Sequence, residues 1–298
     1  MFIVNLKLIF VFNYILIFDQ TFVMLGYHAL KDKDSPDETY EEILTRCVKD
    51  NKVQSMQIFV AGPRSSNLIR MNHVNIKKTI KKLGISLYAH NTHLGHPWSG
   101  SEHTRTLIQN QLKVCAVAGI SGLVIHLPKQ PLEVVMNILP TLIEPDADGP
   151  IILLEIPSVK PDPVKSWETP EQINKLCKAI RKAKFKNVKI CIDTCHLFTS
   201  GYDVTTLKMA NTWLTSLKYP KMIGMIHLND SEVPLCNGKD IHAPIFEGLI
   251  WKDIKPSKSG VRAFIKFAED FNIPVILERG RGENESISRE LELIRKHF

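Results

Sequence analysis

Eight short apolar runs recur along this chain with helix signatures between them, and no other feature of the sequence limits the fold as much. The runs are Leu25 to His28, Ser55 to Val60, Ile85 to His90, Gly122 to His126, Ile151 to Glu155, Val188 to Asp193, Ile223 to Leu228 and Pro274 to Glu278. Each has the length and composition of a buried strand. Ser35-Pro36-Asp37-Glu38 reads as a capping box with proline at the first helical position, ahead of Tyr40, Ile43, Leu44, Cys47 and Val48 at helical spacing. Thr169-Pro170-Glu171-Gln172 repeats the device before Ile173, Leu176, Cys177 and Ile180. Ile76, Ile80 and Leu83 stop at Gly84, and Leu107, Ile108, Leu112 and Cys115 lead into Gly119, both natural helix ends. Two more apolar stripes, Val261 to Ala268 and Ile287 to Phe298, flank the last run. Units of about thirty residues that alternate in this way predict an α/β fold, a single (β/α)8 barrel of parallel strands. The rival is an open doubly wound sheet, but no glycine-rich turn follows the first run to support a dinucleotide fold.

Nothing divides the chain further. Its 298 residues carry no Pro/Gly/Ser-rich linker, and 44% hydrophobic with 23% charged residues is ordinary for a soluble globular protein. The pattern assigns residues 24–298 to one barrel domain and sets residues 1–23 apart as an apolar extension. Within that extension the uncharged stretch Leu8 to Phe18 is shorter than the roughly 20 residues of a membrane span. No small-residue cleavage site follows it, so it reads as dispensable or as an upstream start. A net charge of +7 and a pI near 9.0 favour polyanionic partners. Cys47, Cys115, Cys177, Cys191, Cys195 and Cys236 contain no C-x-x-C pair and read as reduced thiols of an intracellular protein. Strand alternation is expected to turn Cys191 and Cys195 away from Asp193, as packing residues and not zinc thiolates.

In a (β/α)8 barrel the active site lies at the C-terminal ends of the strands. Here the runs end in His28, His90, His126, Glu155, Asp193, His227 and Glu278. His196 follows Asp193 by three residues, where the strand is expected to give way to a loop. Asp240 and His242 alternate in an extended segment, which turns both side chains to one side. Taken singly, each histidine reads as packed or solvated. Together, His90, His126, His196, His227 and His242 with Glu155, Asp193, Asp240 and Glu278 exceed what one or two metals need. Imidazole with carboxylate and without thiolate is the ligand set of catalytic zinc, with manganese or iron as substitutes. Three divalent ions against four carboxylates leave about two positive charges, suited to a phosphodiester and an attacking hydroxide.

These residues fall in strings that resemble a known family. Tyr88-Ala89-His90, Ile125-His126-Leu127-Pro128, Leu154-Glu155, Cys191-Ile192-Asp193-Thr194-Cys195-His196 with Gly201-Tyr202-Asp203, Ile226-His227-Leu228-Asn229-Asp230, Asp240-Ile241-His242 with Glu247-Gly248, and Ile276-Leu277-Glu278 are similar to the motifs of the endonuclease IV family of apurinic/apyrimidinic endonucleases. The resemblance runs from about Met24 to the C-terminus. Phe59-Val60-Ala61-Gly62-Pro63-Arg64 further resembles the subgroup found in large DNA viruses.

The resemblance implies a barrel with three zinc ions per chain. One would take His90 and His126, a second Asp193, His227 and Glu278, with Glu155 between them, and a third His196, Asp240 and His242. Glu155 and Glu278 would be catalytic. Hydroxide held between the first two ions would attack the phosphate 5′ to an abasic deoxyribose, leaving a 3′-hydroxyl and a 5′-deoxyribose phosphate, and blocked 3′ ends would be trimmed. The partner would be double-stranded DNA, bound by a monomer wherever that DNA resides in the cell or virion, with no stable membrane association. Arg64, His93 and Leu94 fall in loops that the family uses to widen the duplex, with His93 where many members carry tyrosine. Arg279 and Arg281, beside the last ligand, would bind phosphates. Lys77, Lys78, Lys81 and Lys82 read as a solvated helix face. Three other readings compete. A sugar isomerase or epimerase would leave His196, Asp240 and His242 without a role, a non-catalytic DNA-binding barrel would be expected to have lost a ligand, and a membrane-tethered form would use residues 1–23.

Overall fold

Eight parallel strands close on themselves in the order β1, β10, β7, β6, β5, β4, β3, β2. They are β1 (Leu25–His28), β2 (Ser55–Phe59), β3 (Ser86–His90), β4 (Gly122–His126), β5 (Ile151–Glu155), β6 (Val188–Asp193), β7 (Ile223–His227) and β10 (Val275–Leu277); β8 (Asp230–Ser231) and β9 (His242–Ala243) form a small antiparallel pair beyond β7. Among the described residues the α-helices are α1 (Tyr40–Asn51), α2 (His73–Leu83), α3 (Glu102–Ala118), α4 (Leu132–Leu142), α5 (Pro170–Lys182), α6 (Thr194–Thr199), α7 (Leu207–Thr215), α8 (Gly260–Phe271) and α9 (Asn284–His297). The computed structural model describes residues 23–31, 37–93, 97–143, 148–162, 167–279 and 284–298. Among these, no helix is long and apolar enough to cross a membrane.

The barrel interior explains where the polar residues sit. Tyr88, Val124, Leu153, Cys191, Met225 and Ile276 pack into an apolar layer separate from the larger core under the helices. Side chains two apart on a strand share a face. Two residues beyond each member of that layer stand His90, His126, Glu155, Asp193, His227 and Glu278, which therefore form the next layer up. Register keeps them level, since His126 pairs with Glu155 and Asp193 with His227. The same rule corrects the expectation for Cys191: it lies on the inward face with Asp193, one layer below.

Two local expectations also change. The first helix begins at Tyr40 under a Thr39–Glu42 capping box, while Glu38 pairs with Arg46 at 2.8 Å. Ser35 and Pro36 lie outside the described residues. After β6 the chain does not enter a loop: Asp193 caps α6 directly, its Oδ1 accepting from the His196 amide at 2.9 Å. The Thr169–Gln172 box on α5 and the left-handed glycines Gly84 and Gly119 at the ends of α2 and α3 are as read.

Candidate metal centre

The strand ends converge on Glu155, which is fully buried at the top of β5. Its Oε2 lies 3.2 Å from His90 Nε2 and 2.9 Å from His126 Nε2. Its other oxygen, Oε1, lies 2.9 Å from His227 Nδ1. His227 Nδ1 is in turn 3.2 Å from Glu278 Oε2 and 3.9 Å from Asp193 Oδ2. Beyond α6, Asp240 Oδ1 is 3.0 Å from His196 Nε2 and 2.9 Å from His242 Nε2. The nine imidazole and carboxylate residues fall into three groups, each with its candidate ligand atoms within 4.8 Å of one another: His90, His126 and Glu155; Glu155, Asp193, His227 and Glu278; and His196, Asp240 and His242. All nine expected residues are thus brought together.

The far side of each ring decides whether these groups suit cations. His90 Nδ1 donates to the Asn91 carbonyl at 2.8 Å, His196 Nδ1 to the Ile156 carbonyl at 2.7 Å, and His227 Nε2 to Gln57 Oε1 at 3.0 Å. With that nitrogen engaged as a donor, the nitrogen facing the carboxylates is the one on which a metal would take the place of a proton. His196 Nε2 makes the point from another side. It is buried near Asp240 yet makes no hydrogen bond, as two ligands aimed at a shared point would do. Burial opposes charge on Glu155, but the His126 and His227 imidazoles outweigh it and hold the carboxyl well below its usual range. Burial is likewise outweighed at His196 by Asp193 and Asp240, and at His227 by Cys191, Glu278 and Glu155, so both imidazoles titrate well above the ordinary histidine range. A set of mutually facing carboxylates and imidazoles, buried at Glu155, Asp193, His196 and His227 and opening to the surface at Asp240, fits divalent ions.

With this geometry established, relatives can be compared. Residues 45–297 match the family described as xylose isomerase-like TIM barrel. A probable AP endonuclease of African swine fever virus is 36% identical over 248 residues, covering 80% of this chain and 83% of its own length. A probable endonuclease 4 of Mycoplasma mobile is 29% identical over 289 residues, with 91% and 97% covered. The chain belongs to the endonuclease IV family. The solved structure named AsfvAP:AG superposes with a TM-score of 0.82 at 31% identity, covering 92% of this chain and 97% of that one. The Thermus thermophilus endonuclease IV shares the fold at a TM-score of 0.72 and 20% identity, covering 92% and 98%. A D-tagatose 3-epimerase-like protein also shares the fold, at 0.64 and 17%, so the barrel alone does not separate endonuclease IV members from sugar enzymes.

Around this family member's centre stands a shell that the sequence reading missed. Gln57, buried on β2, donates through Nε2 to Glu278 Oε1 at 2.6 Å and to His28 Nδ1 at 3.0 Å while its Oε1 holds His227. Asn229 donates to Asp193 Oδ2 at 2.7 Å and accepts from the Glu278 amide at 3.0 Å. Asp230 accepts from the amides of Ser231, Phe246, Ile250 and Trp251, which ties down the segment carrying Asp240 and His242. Asn229 and Asp230 were visible in the His227 string, but Gln57 gave no signal because an amide is not a typical ligand.

The expected DNA contacts divide. Arg64 is exposed in the loop after β2. The loops after β2 and β3 are joined, because the His93 amide and the Thr92 hydroxyl both donate to the Pro63 carbonyl, at 2.8 and 3.1 Å. The His93 ring lies 5.4 Å from His90 and 6.2 Å from His126, and burial together with those two rings pushes its pKa down to about 4. Arg279 is buried rather than free: its guanidinium turns inward to Glu290 and also donates to Asn229 and to the Glu278 carbonyl, so most of its donors are already engaged. Leu94 and Arg281 lie outside the described residues. Cys195 is a further correction. Its sulfur groups with Asp193 and His242, although burial and then Asp193 push the thiol far up and keep it protonated.

Proposed function

We propose that this chain is a metal-dependent DNA repair nuclease that hydrolyses the phosphodiester 5′ to an abasic site in duplex DNA, leaving a 3′-hydroxyl and a 5′-deoxyribose phosphate, and that it trims blocked 3′ ends in the same site. The third group, His196, Asp240 and His242, carries this reading. One or two metals suffice for sugar isomerisation, which leaves that group without a role, whereas phosphodiester hydrolysis can use a further cation to neutralise charge on the phosphate beyond the pair that serves the attacking and leaving oxygens. The name of the viral relative, probable AP endonuclease, supports an abasic substrate.

In this proposal His90 and His126 would hold one ion, Asp193, His227 and Glu278 a second, with Glu155 facing both groups, and His196, Asp240 and His242 would hold the third. Zinc, or manganese or iron in its place, supplies Lewis acidity toward the phosphate and lowers the pKa of bound water. The chain's own residues do the positioning. Glu155 uses one oxygen toward each of the first two groups, so its rigidity sets their spacing. Glu278 is held from three sides, by Gln57, by the Asn229 bond to its amide and by Arg279 on its carbonyl. His93, neutral at physiological pH, covers the first group from the mouth and offers a ring face instead of a charge. Arg64 contacts the DNA backbone, and Leu94 and Arg281 keep the wedge and phosphate roles that the family resemblance implies for them. Residues 24–298 act as a monomer, and residues 1–23 are dispensable to catalysis.

A duplex carrying one tetrahydrofuran abasic analogue tests the chemistry, because the analogue cannot β-eliminate and any cut must be hydrolytic. The wild type is expected to cleave 5′ to the analogue and leave an end that a polymerase extends. Glu155→Gln is expected to lose at least about a hundredfold in rate, the scale of losing one preorganised charge at the reacting centre. Undiminished cleavage by Glu155→Gln would sink the assignment.

A further inference from the structure

The positive charge of this chain is concentrated. Residues 172–222 hold ten lysines and arginines against two carboxylates, Asp193 and Asp203, while the whole chain has a net charge of +7. The remainder is therefore close to neutral, and Asp193 belongs to the metal centre. Half of these cations gather at the N-terminal ends of β6 and β7, the end of the barrel opposite the metal centre. There a cavity of about 500 Å³ opens between the α5–β6 and α7–β7 connections.

Its lining has two parts. Phe185, Val188, Tyr219, Pro220 and Met222 supply apolar surface, with Phe185 and Val188 buried. Arg181, Lys186, Lys189, Lys218 and Lys221 supply the charge, and among the described residues no carboxylate lines the cavity. Two of the cations are held in place. The Arg181 guanidinium lies 4.9 Å from the centre of the Tyr219 ring, a cation–π contact. Lys189 shares the inward face of β6 with Cys191 and Asp193, and its stem crosses Gly224, where a Cβ would come within 2.8 Å of its Cδ. Only a glycine on β7 leaves that path open.

Converging like charges raise the local potential and favour an anion. A bare phosphate backbone would satisfy the rim but leave the apolar lining in water. An acidic segment bearing one large apolar side chain satisfies both, because the side chain gains by leaving water and the carboxylates meet the lysines. We propose that this cavity is a docking site for an acidic peptide segment of a partner protein, with an aromatic or long aliphatic side chain as its anchor. Such a partner would be held while a substrate occupied the opposite end of the barrel.

Fluorescence anisotropy with the full chain tests this. The probe is a short fluorescein-labelled peptide of aspartate and glutamate with a single central phenylalanine. Expected is saturable binding that weakens at least about tenfold, or 1.4 kcal/mol, both in Lys218→Glu/Lys221→Glu and when the peptide's phenylalanine becomes alanine. Both lysines are exposed, so an unchanged circular dichroism spectrum and melting temperature would show that the variant is folded; Lys221→Glu alone is the fallback. Absence of saturation, or equal binding by the charge-reversed variant, overturns the proposal. So does a labelled oligonucleotide that binds more tightly than the peptide and is lost in the same variant, since the cavity would then serve nucleic acid.

Discussion

Gln57 has no charge and would make a poor ligand, yet it orients two candidate ligands at once. Its carbonyl oxygen fixes the tautomer of His227 and its amide nitrogen steadies Glu278. Outer partners of this kind typically carry a factor of about 10 to 100 in metal affinity. Gln57→Leu keeps the volume and removes both bonds, so chelator competition should show one of the bound ions weakened by about that factor; unchanged affinities would remove Gln57 from the account. A second prediction concerns protons. Carboxylate neighbours overcome burial and raise His196, His227 and His242 above the ordinary histidine value of about 6.5. In the metal-free protein these groups therefore hold protons that the unfolded chain has begun to shed. Their contribution to stability is complete below the unfolded value and is lost as pH rises through the folded one. Metal must displace those protons, so affinity falls as pH is lowered and uptake at neutral pH releases protons. Titration calorimetry in buffers of different ionisation enthalpy should register that release. A heat independent of buffer would contradict it.

At the scale of elements, much of the centre could be read from a period of two. Six of the eight barrel strands carry an apolar inward residue and, two positions on, a candidate ligand, so the runs and their polar ends announce both the barrel and its mouth. The errors came where a local rule had two solutions or a partner lay far away in sequence. Ser35-Pro36-Asp37-Glu38 and Thr39-Tyr40-Glu41-Glu42 both satisfy a capping pattern; burial of Tyr40, Ile43, Leu44 and Cys47 favours the second, with Glu38 left to pair with Arg46. Arg279 reads as a phosphate contact beside Glu278 until Glu290 of α9 is brought against it. That pair joins the end of β10 to the last helix, and Glu290 also accepts from the Ile245 amide at 2.8 Å. Arg279→Met would strand a buried carboxylate and should cost about 3–5 kcal/mol in urea unfolding. Adding Glu290→Gln keeps the bond to Ile245 and should restore part of the loss. A single variant as stable as the wild type would show that the pair is not structural.

At the scale of the whole molecule, barrel closure turns residues spread from His90 to Glu278 into one centre. It also sends the excess positive charge to the other end, where composition alone could not locate it. Closure gathers the nine candidate ligands into three groups sharing one face, with Glu155 common to two of them and Asp240 joining His196 to His242. The central claim is that each group holds an ion. Metal analysis by native mass spectrometry, run on the same preparation that cleaves the tetrahydrofuran duplex at full rate, tests it most directly. Three divalent ions per chain are predicted, falling to two in Asp240→Ala as cleavage falls with them. A fully active preparation with two ions or fewer would contradict the account.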